Sequence, residues 1–238
     1  MQIAVVTIGL LLALGLQQIV ETVHHRSERA HLEEQMHETF VANQHVIAEN
    51  VRKLDRLQAY LVDLRASVGA RIEGRSALPG PVQSDPRNFV YVPPPSLGAY
   101  EASKANGTVA LLSFDTIRLY DRIGITIAIV QVDLQRYLTA VTALRAFAER
   151  FDSAKIGQFR LPQVNLAELS AEELLEYRAL IGNMIGAAGE FKTRMRIVGL
   201  SSRAILDGVQ TEADLRTAVA KLQGDPSSVP AATGGGPQ

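Results

Sequence analysis

Cysteine and tryptophan are absent from this sequence of 238 residues, and aromatic residues make up only 5% of it. Without cysteine there can be no disulfide bond, no thiolate metal site and no cysteine nucleophile. An excess of one charge sign is also lacking, because 24 Lys and Arg nearly balance 25 Asp and Glu. A chain so close to neutral produces no overall field that would attract nucleic acid. We therefore predict no nucleic-acid partner.

Motifs that carry chemistry are missing as well. The sequence contains no nucleophile elbow, no Walker loop and no Gly-x-Gly-x-x-Gly pattern. We therefore predict no catalytic residue, no cofactor and no enzymatic activity. Hydrophobic residues are nevertheless plentiful, at 47%, which is enough for a folded core. Ala and Leu recur throughout, and they favour helices over strands, so the predicted fold class is all-α.

The longest apolar run lies at the N-terminus. Residues 3–16 read IAVVTIGLLLALGL, and extension to Val23 gives about 21 residues, or roughly 32 Å of helix. That length crosses a bilayer core of about 30 Å. We predict a single transmembrane anchor in residues 1–23, in contact with membrane lipid. Two alternatives are a cleaved signal peptide, although no basic region precedes Ile3, and a buried helix of a soluble protein.

Basic residues follow the predicted anchor closely, at His24, His25, Arg26 and Arg29. The positive-inside rule places such a flank in the cytoplasm. We therefore predict an inner-membrane protein whose bulk lies on the cytoplasmic side, with a periplasmic location as the alternative.

No Gly or Pro occurs in residues 17–68, so the anchor helix can continue into a long stalk over residues 24–76. Hydrophobic residues recur there at heptad spacing. The first set, here called the heptad stripe, consists of Phe40, Ile47, Leu54, Leu61 and Val68. The partner positions are Met36, Asn43, Asn50, Leu57 and Leu64. This pattern fits either a helix packed on its own chain or a homo-oligomer formed through the heptad stripe.

The remainder divides at its prolines and glycines. Residues 77–98 form a Pro-rich linker, interpreted as a strap that lies on the bundle. Residues 99–223 form the helical bundle domain, and residues 224–238 are too poor in large apolar groups to order themselves. The predicted architecture is therefore the anchor and stalk helix packed with two further long helices and two short ones.

Cap signals place the later helices of the bundle. A helix of about residues 97–105 should end at Asn106-Gly107. Ser113 should cap the next long helix, and Ser170 with Glu173 forms a capping box that opens another. Thr211 should begin the last short helix. The dense apolar stretch Ile123 to Val132 (IGITIAIVQV) is too short for a membrane span, so we interpret it as core.

A repeated Glu-x-x-His pattern is the one motif typical of a metal site. It occurs at Glu21 with His24, at Glu28 with His31 and at Glu34 with His37. Di-iron bundles need such pairs on two facing helices, whereas here all three fall on one helix. We predict that these histidines face solvent or lipid headgroups and that no metal is bound.

The segment VTIGLLLALGLQQIVE, the pair His24-His25, the Pro-rich break and AYEASKANGTVALLSFDTIRLYDRI (Ala99 to Ile123) together resemble an uncharacterised family of bacterial single-span membrane proteins. In that family the position of Tyr100 is usually Trp, so this chain departs from it there. The resemblance implies a membrane anchor and a helical domain, and it implies no activity.

These observations predict a membrane-anchored, non-enzymatic protein that binds itself or an unknown protein partner. The alternative is a membrane-tethered sensor of small molecules or envelope stress, with its pocket between the helices.

Overall fold

The computed structural model describes residues 2–75, 92–151 and 164–223; for residues 2–13 it describes the backbone alone. Within these ranges the protein is all-α, with five helices and no strand. A short 3-10 helix, Thr108–Leu111, joins the second and third helices. The five helices are α1 (Gln2–Ile72), α2 (Gly98–Asn106), α3 (Phe114–Glu149), α4 (Ala171–Leu206) and α5 (Glu212–Gln223). The predicted all-α bundle of three long and two short helices is confirmed.

The helix ends follow the predicted cap residues. The Ser113 hydroxyl accepts a hydrogen bond from the Thr116 backbone N–H, which caps α3. At the start of α4, Ser170 and Glu173 form the predicted capping box, in which each side chain binds the other's backbone N–H. Gly107 ends α2 with a φ of 84°, a left-handed conformation that glycine adopts without strain.

The helix α4 lies between α1 and α3 and runs antiparallel to both. On one side Ile47 packs near Gly199, while Arg65 lies near Gly182, farther back along α4. On the other side Tyr137 stacks on Phe191 with ring centroids 5.7 Å apart, and Phe147 stacks on Tyr177 at 4.9 Å. Because both neighbours oppose α4, α1 and α3 run in the same direction.

The heptad stripe forms the α1 side of this core. All five of its side chains are at most 3% exposed within the single chain: Phe40, Ile47, Leu54, Leu61 and Val68. Of the two arrangements that fit the pattern, the structure shows packing of α1 on its own chain. A second copy could therefore reach the heptad stripe only if the bundle opened.

Two polar residues beside the heptad stripe hold an extended segment, residues 92–97, here called the strap. The Asn50 side chain donates a hydrogen bond of 2.6 Å to the Pro93 carbonyl. The Asn43 side chain donates to the Ser96 carbonyl at 2.7 Å and accepts from the Ser96 N–H at 3.1 Å. Since backbone groups of the strap form no helical bonds, these two amides supply the partners that it lacks. The described end of the predicted linker thus lies on the bundle as expected.

Glycines of α4 allow polar side chains of α1 to come close. A Cβ at Gly189 would lie 3.0 Å from Gln58 Nε2, and this nitrogen donates to the Ile185 carbonyl at 3.2 Å. Nearby, Lys192 pairs with Asp55 at 2.8 Å. The interface between α1 and α4 therefore combines the apolar core with a polar rim at its edge.

Several predictions fall outside the described residues. These are most of the Pro-rich linker (residues 76–91), the C-terminal tail (residues 224–238) and the side chains of residues 1–13 in the predicted anchor. Within the portion that is described, none of the helices is both long and apolar enough to cross a membrane.

Candidate interaction surfaces

The first part of α1 projects beyond the bundle. Leu32 is the first buried residue of this helix among those with described side chains, and none of residues 14–31 is buried. The projecting backbone, residues 2–31, is roughly 45 Å long at 1.5 Å per residue. Its large apolar side chains are between 54% and 67% exposed: Leu14, Leu16, Ile19, Val20 and Val23. Within the described ranges nothing covers these side chains, so they form the first candidate interaction surface.

A second uncovered apolar surface lies on α3. Ile125, Ile129 and Val132, here called the outer stripe, are 55%, 40% and 53% exposed. The alternating residues Ile123, Ile127 and Val130 point inward and are at most 5% exposed. The interpretation of Ile123 to Val132 as core was therefore wrong for half of its large side chains. The stretch is apolar on all sides, so its composition carried no signal of which side faces outward.

The outer stripe has the spacing of a helix-pairing surface. Its three residues are separated by four and then three positions, as in the a and d sites of a coiled coil. Arg122 lies three residues before Ile125, and Arg136 lies four residues after Val132. Arg136 is balanced within the chain, because its guanidinium lies 3.6 Å from both Asp133 and Glu190.

A buried carboxylate lies beneath this part of α3. Asp133 is 5% exposed, and its oxygens lie 3.6 Å from Arg136 Nη1 and 3.7 Å from Arg194 Nε. No hydrogen bond reaches its Oδ2 atom. Sequence reasoning missed this ion pair, although Asp133 falls three residues after Val130 and four before Tyr137 on the buried side of the helix. Because Arg136 lies on α3 and Arg194 lies on α4, this group of three charged residues joins the two helices and has a structural role.

A cleft opens between α3, α4 and α5. Its volume is about 220 Å³. Two arginines, Arg122 and Arg216, stand among residues that are otherwise apolar or uncharged. The remaining lining residues are Ile123, Thr126, Ile197, Ser201, Leu215, Val219, Ala220 and Gln223.

Charge at this cleft is unevenly balanced. Glu212 binds Arg216 at 2.5 Å and Arg118 at 3.3 Å. The hydrogen bond from Arg216, with the nearby positive charges, lowers the pKa of the Glu212 carboxyl below its usual value, so this residue is ionised at neutral pH. Arg122 makes no hydrogen bond or ion pair through its side chain to any other described residue. One guanidinium at the cleft therefore remains available to a ligand.

The five histidines are all exposed on α1. His24 lies 3.2 Å from Glu28 and His31 lies 3.0 Å from Gln35, so each contacts the residue four positions later. In none of the three Glu-x-x-His patterns does the glutamate contact the histidine that follows it by three residues. Across the described ranges, no three His, Asp or Glu side chains are grouped so that they could hold a metal ion.

Comparison of the chain with family models, curated proteins and solved structures finds no match in any of the three. Membership of the family suggested by the N-terminal motifs therefore stays a prediction. The features of the chain that bear on its function are the projecting helix, the outer stripe and the cleft.

Proposed function

We propose that this chain is a non-enzymatic scaffold, anchored in a membrane by residues 1–23, whose copies associate side by side through the outer stripe of α3. The observation that carries this proposal is the exposure of Ile125, Ile129 and Val132 at coiled-coil spacing, on a surface that the other described residues leave uncovered.

The anchor part of the proposal is supported by two independent features. Residues 3–16 form an apolar run interrupted only by Thr7, Gly9 and Gly15. The same helix projects from the bundle with Leu16, Ile19 and Val20 exposed around it. Water is an unfavourable environment for such a surface, at about 25 cal/mol for each Å² of apolar area. Insertion into a bilayer removes that cost.

The anchor also favours a second copy as the occupant of the outer stripe. Copies fixed in one membrane by α1 stand in the same direction, and α3 runs parallel to α1. The outer stripes of two copies therefore lie at the same distance from the membrane. Around a two-fold axis parallel to the helices, each residue of the stripe would face its own counterpart.

The area of the outer stripe predicts a weak association. A standard interface buries about 800 Å² on each partner, and three aliphatic side chains supply only part of that. Confinement to one membrane raises the effective concentration of the copies, which compensates for a weak contact. The heptad stripe is not available for this role, since Phe40, Leu54 and Leu61 are fully buried within one chain.

Disulfide cross-linking tests the association directly, because the chain has no cysteine of its own. We expect Ile125→Cys and Val132→Cys, each expressed alone, to form covalent dimers in oxidised membranes. Leu175→Cys is the matched control, since Leu175 is also 55% exposed but lies on α4. Cross-linking at Ile125→Cys no stronger than at Leu175→Cys would contradict the proposal.

The same variants determine the direction of the pair. In an antiparallel pair, Ile125 would face Val132, so neither cysteine would link to itself and only a mixture of the two variants would give dimers. That result would overturn the parallel, membrane-ordered arrangement.

The proposed side of the membrane is the cytoplasm, on the strength of Arg26 and Arg29 after the anchor. A membrane-impermeant maleimide should label Ser228→Cys only after cell lysis. Labelling of intact cells would place the bundle outside.

A further inference from the structure

From the cleft between α3, α4 and α5, we infer that this protein binds a small carboxylate with a short apolar tail, with Arg122 as the residue that holds the carboxylate. Nothing in the proposed scaffold role requires such a ligand, so the two proposals stand or fall separately.

The size of the cleft sets the size of the ligand. Its volume of about 220 Å³ equals roughly seven water molecules at about 30 Å³ each. It lies below the range of about 300–1,000 Å³ that is typical of sites for drug-sized ligands. A short aliphatic acid is therefore the class of ligand that fits the cleft, whereas a nucleotide or a phospholipid is too large.

The lining supplies an apolar surface for the tail. Ile123 and Leu215 are buried at the cleft wall, and Ile197, Val219 and Ala220 complete it. Burial of aliphatic carbon against such side chains contributes favourably to binding. A ligand without a tail leaves this surface exposed to water and gains no free energy from burial of aliphatic carbon.

The arginines of the cleft, and not its hydroxyl groups, select a negative charge. The Ser201 hydroxyl donates to the Ile197 carbonyl at 2.9 Å, and the Thr126 hydroxyl donates to the Arg122 carbonyl at 3.1 Å. Because each hydroxyl has already given its one proton, neither is free to donate to an anion. Arg216 already binds Glu212 through Nη2, whereas the guanidinium of Arg122 has no such partner among the described residues. Its planar pair of N–H groups matches the two oxygens of a carboxylate.

The surrounding charges reinforce this selection. Arg118, Arg122 and Arg216 all lie near the Glu212 carboxylate, which binds Arg118 and Arg216 directly and is also influenced by the charge of Arg122. The excess positive charge attracts an anion and repels an ammonium group. The carboxylate of the ligand would thus pair with the charge of Arg122 and reduce this excess.

Calorimetric titration of the full chain in detergent tests the inference, with a blank titration into detergent alone. The probes are hexanoate, hexylammonium with the same tail and the opposite charge, and acetate with the same head and no tail. We expect saturable binding of hexanoate and at least tenfold weaker binding of the other two. No saturable binding of hexanoate, or equal affinity for hexylammonium, would overturn the inference.

Two variants assign the binding to the cleft. Arg122→Gln should weaken hexanoate binding at least tenfold, whereas Arg52→Gln, at an exposed arginine of α1, should leave it unchanged. Ala220→Phe should fill the space for the tail and abolish binding while the carboxylate partner stays in place. Both changes are at exposed positions, and melting curves confirm that the variants are folded. Unchanged hexanoate affinity in Arg122→Gln would show that the acid binds elsewhere and contradict the assignment.

Discussion

Replacement of Asn50 by leucine distinguishes two possible roles of this residue, because pairing of α1 with another helix and attachment of the strap predict opposite changes in stability. If the helix paired with another helix through a heptad pattern, a polar residue in that position would cost stability, and leucine would raise it. In the structure, the Asn50 amide is 1% exposed and donates a 2.6 Å hydrogen bond to the Pro93 carbonyl of the strap. Leucine cannot donate, so Asn50→Leu should destabilise the protein.

The size of the effect follows from the environment of the broken bond. Pro93 is half-buried, and the loss of a partner from a buried polar group costs about 1–3 kcal/mol. In a chain of this length, each kcal/mol lowers the melting temperature by about 2–4 °C. Asn43→Leu removes two hydrogen bonds to Ser96 instead of one. Because Ser96 is exposed and water can replace part of that loss, we expect a decrease of similar size.

Thermal unfolding of the full chain, followed by far-ultraviolet circular dichroism, measures both variants. Asn183→Leu is the control, because it makes the same substitution at an exposed position of α4. An Asn50→Leu protein that melts at or above the temperature of the Asn183→Leu control would refute the role of Asn50 in holding the strap.

Two further predictions concern the edge of the α1–α4 interface and the buried tyrosines. Gly189→Val should lower the free energy of unfolding by about 1–3 kcal/mol, because a Cβ at this position lies 3.0 Å from Gln58 Nε2. Gly186→Val is the control, since nothing lies within 4 Å of a Cβ there. Equal melting temperatures of the two variants would contradict this prediction. Burial raises the pKa of Tyr137 and Tyr177 above the usual value, so the folded state favours the neutral phenols. Their contribution to stability is complete below about pH 10 and is lost as the pH rises further. Denaturant unfolding between about pH 8 and pH 12 measures this loss, and a flat profile would count against it.

Local signals in the sequence predicted local structure well. The hydroxyl of Ser113 and the pair Ser170 and Glu173 bind backbone groups within three residues of themselves, so their pattern alone identifies the helix starts. The heptad stripe predicted which residues of α1 are buried. It did not identify the element that covers them, because α4 of the same chain and a second copy would satisfy the same spacing.

The features that sequence reasoning missed depend on residues distant in the chain. Asn50 binds a carbonyl that follows it by 43 positions, and no periodicity reports such a bond. Arg122 and Arg216 line one cleft only because α5 folds back on α3. The outer stripe was missed for a different reason, since Ile125 and Ile127 are equally apolar and only the packing distinguishes the exposed side from the buried one.

Extraction of membranes with alkaline carbonate tests the proposed anchor most directly. We predict that the full chain stays in the membrane pellet. We also predict that a variant with both Leu11→Arg and Leu12→Arg is released, since each arginine near the centre of a span costs about 2.5–3.5 kcal/mol. Release of the unmodified chain into the soluble fraction would contradict the account of α1 as a membrane anchor, and with it the parallel ordering of the outer stripes.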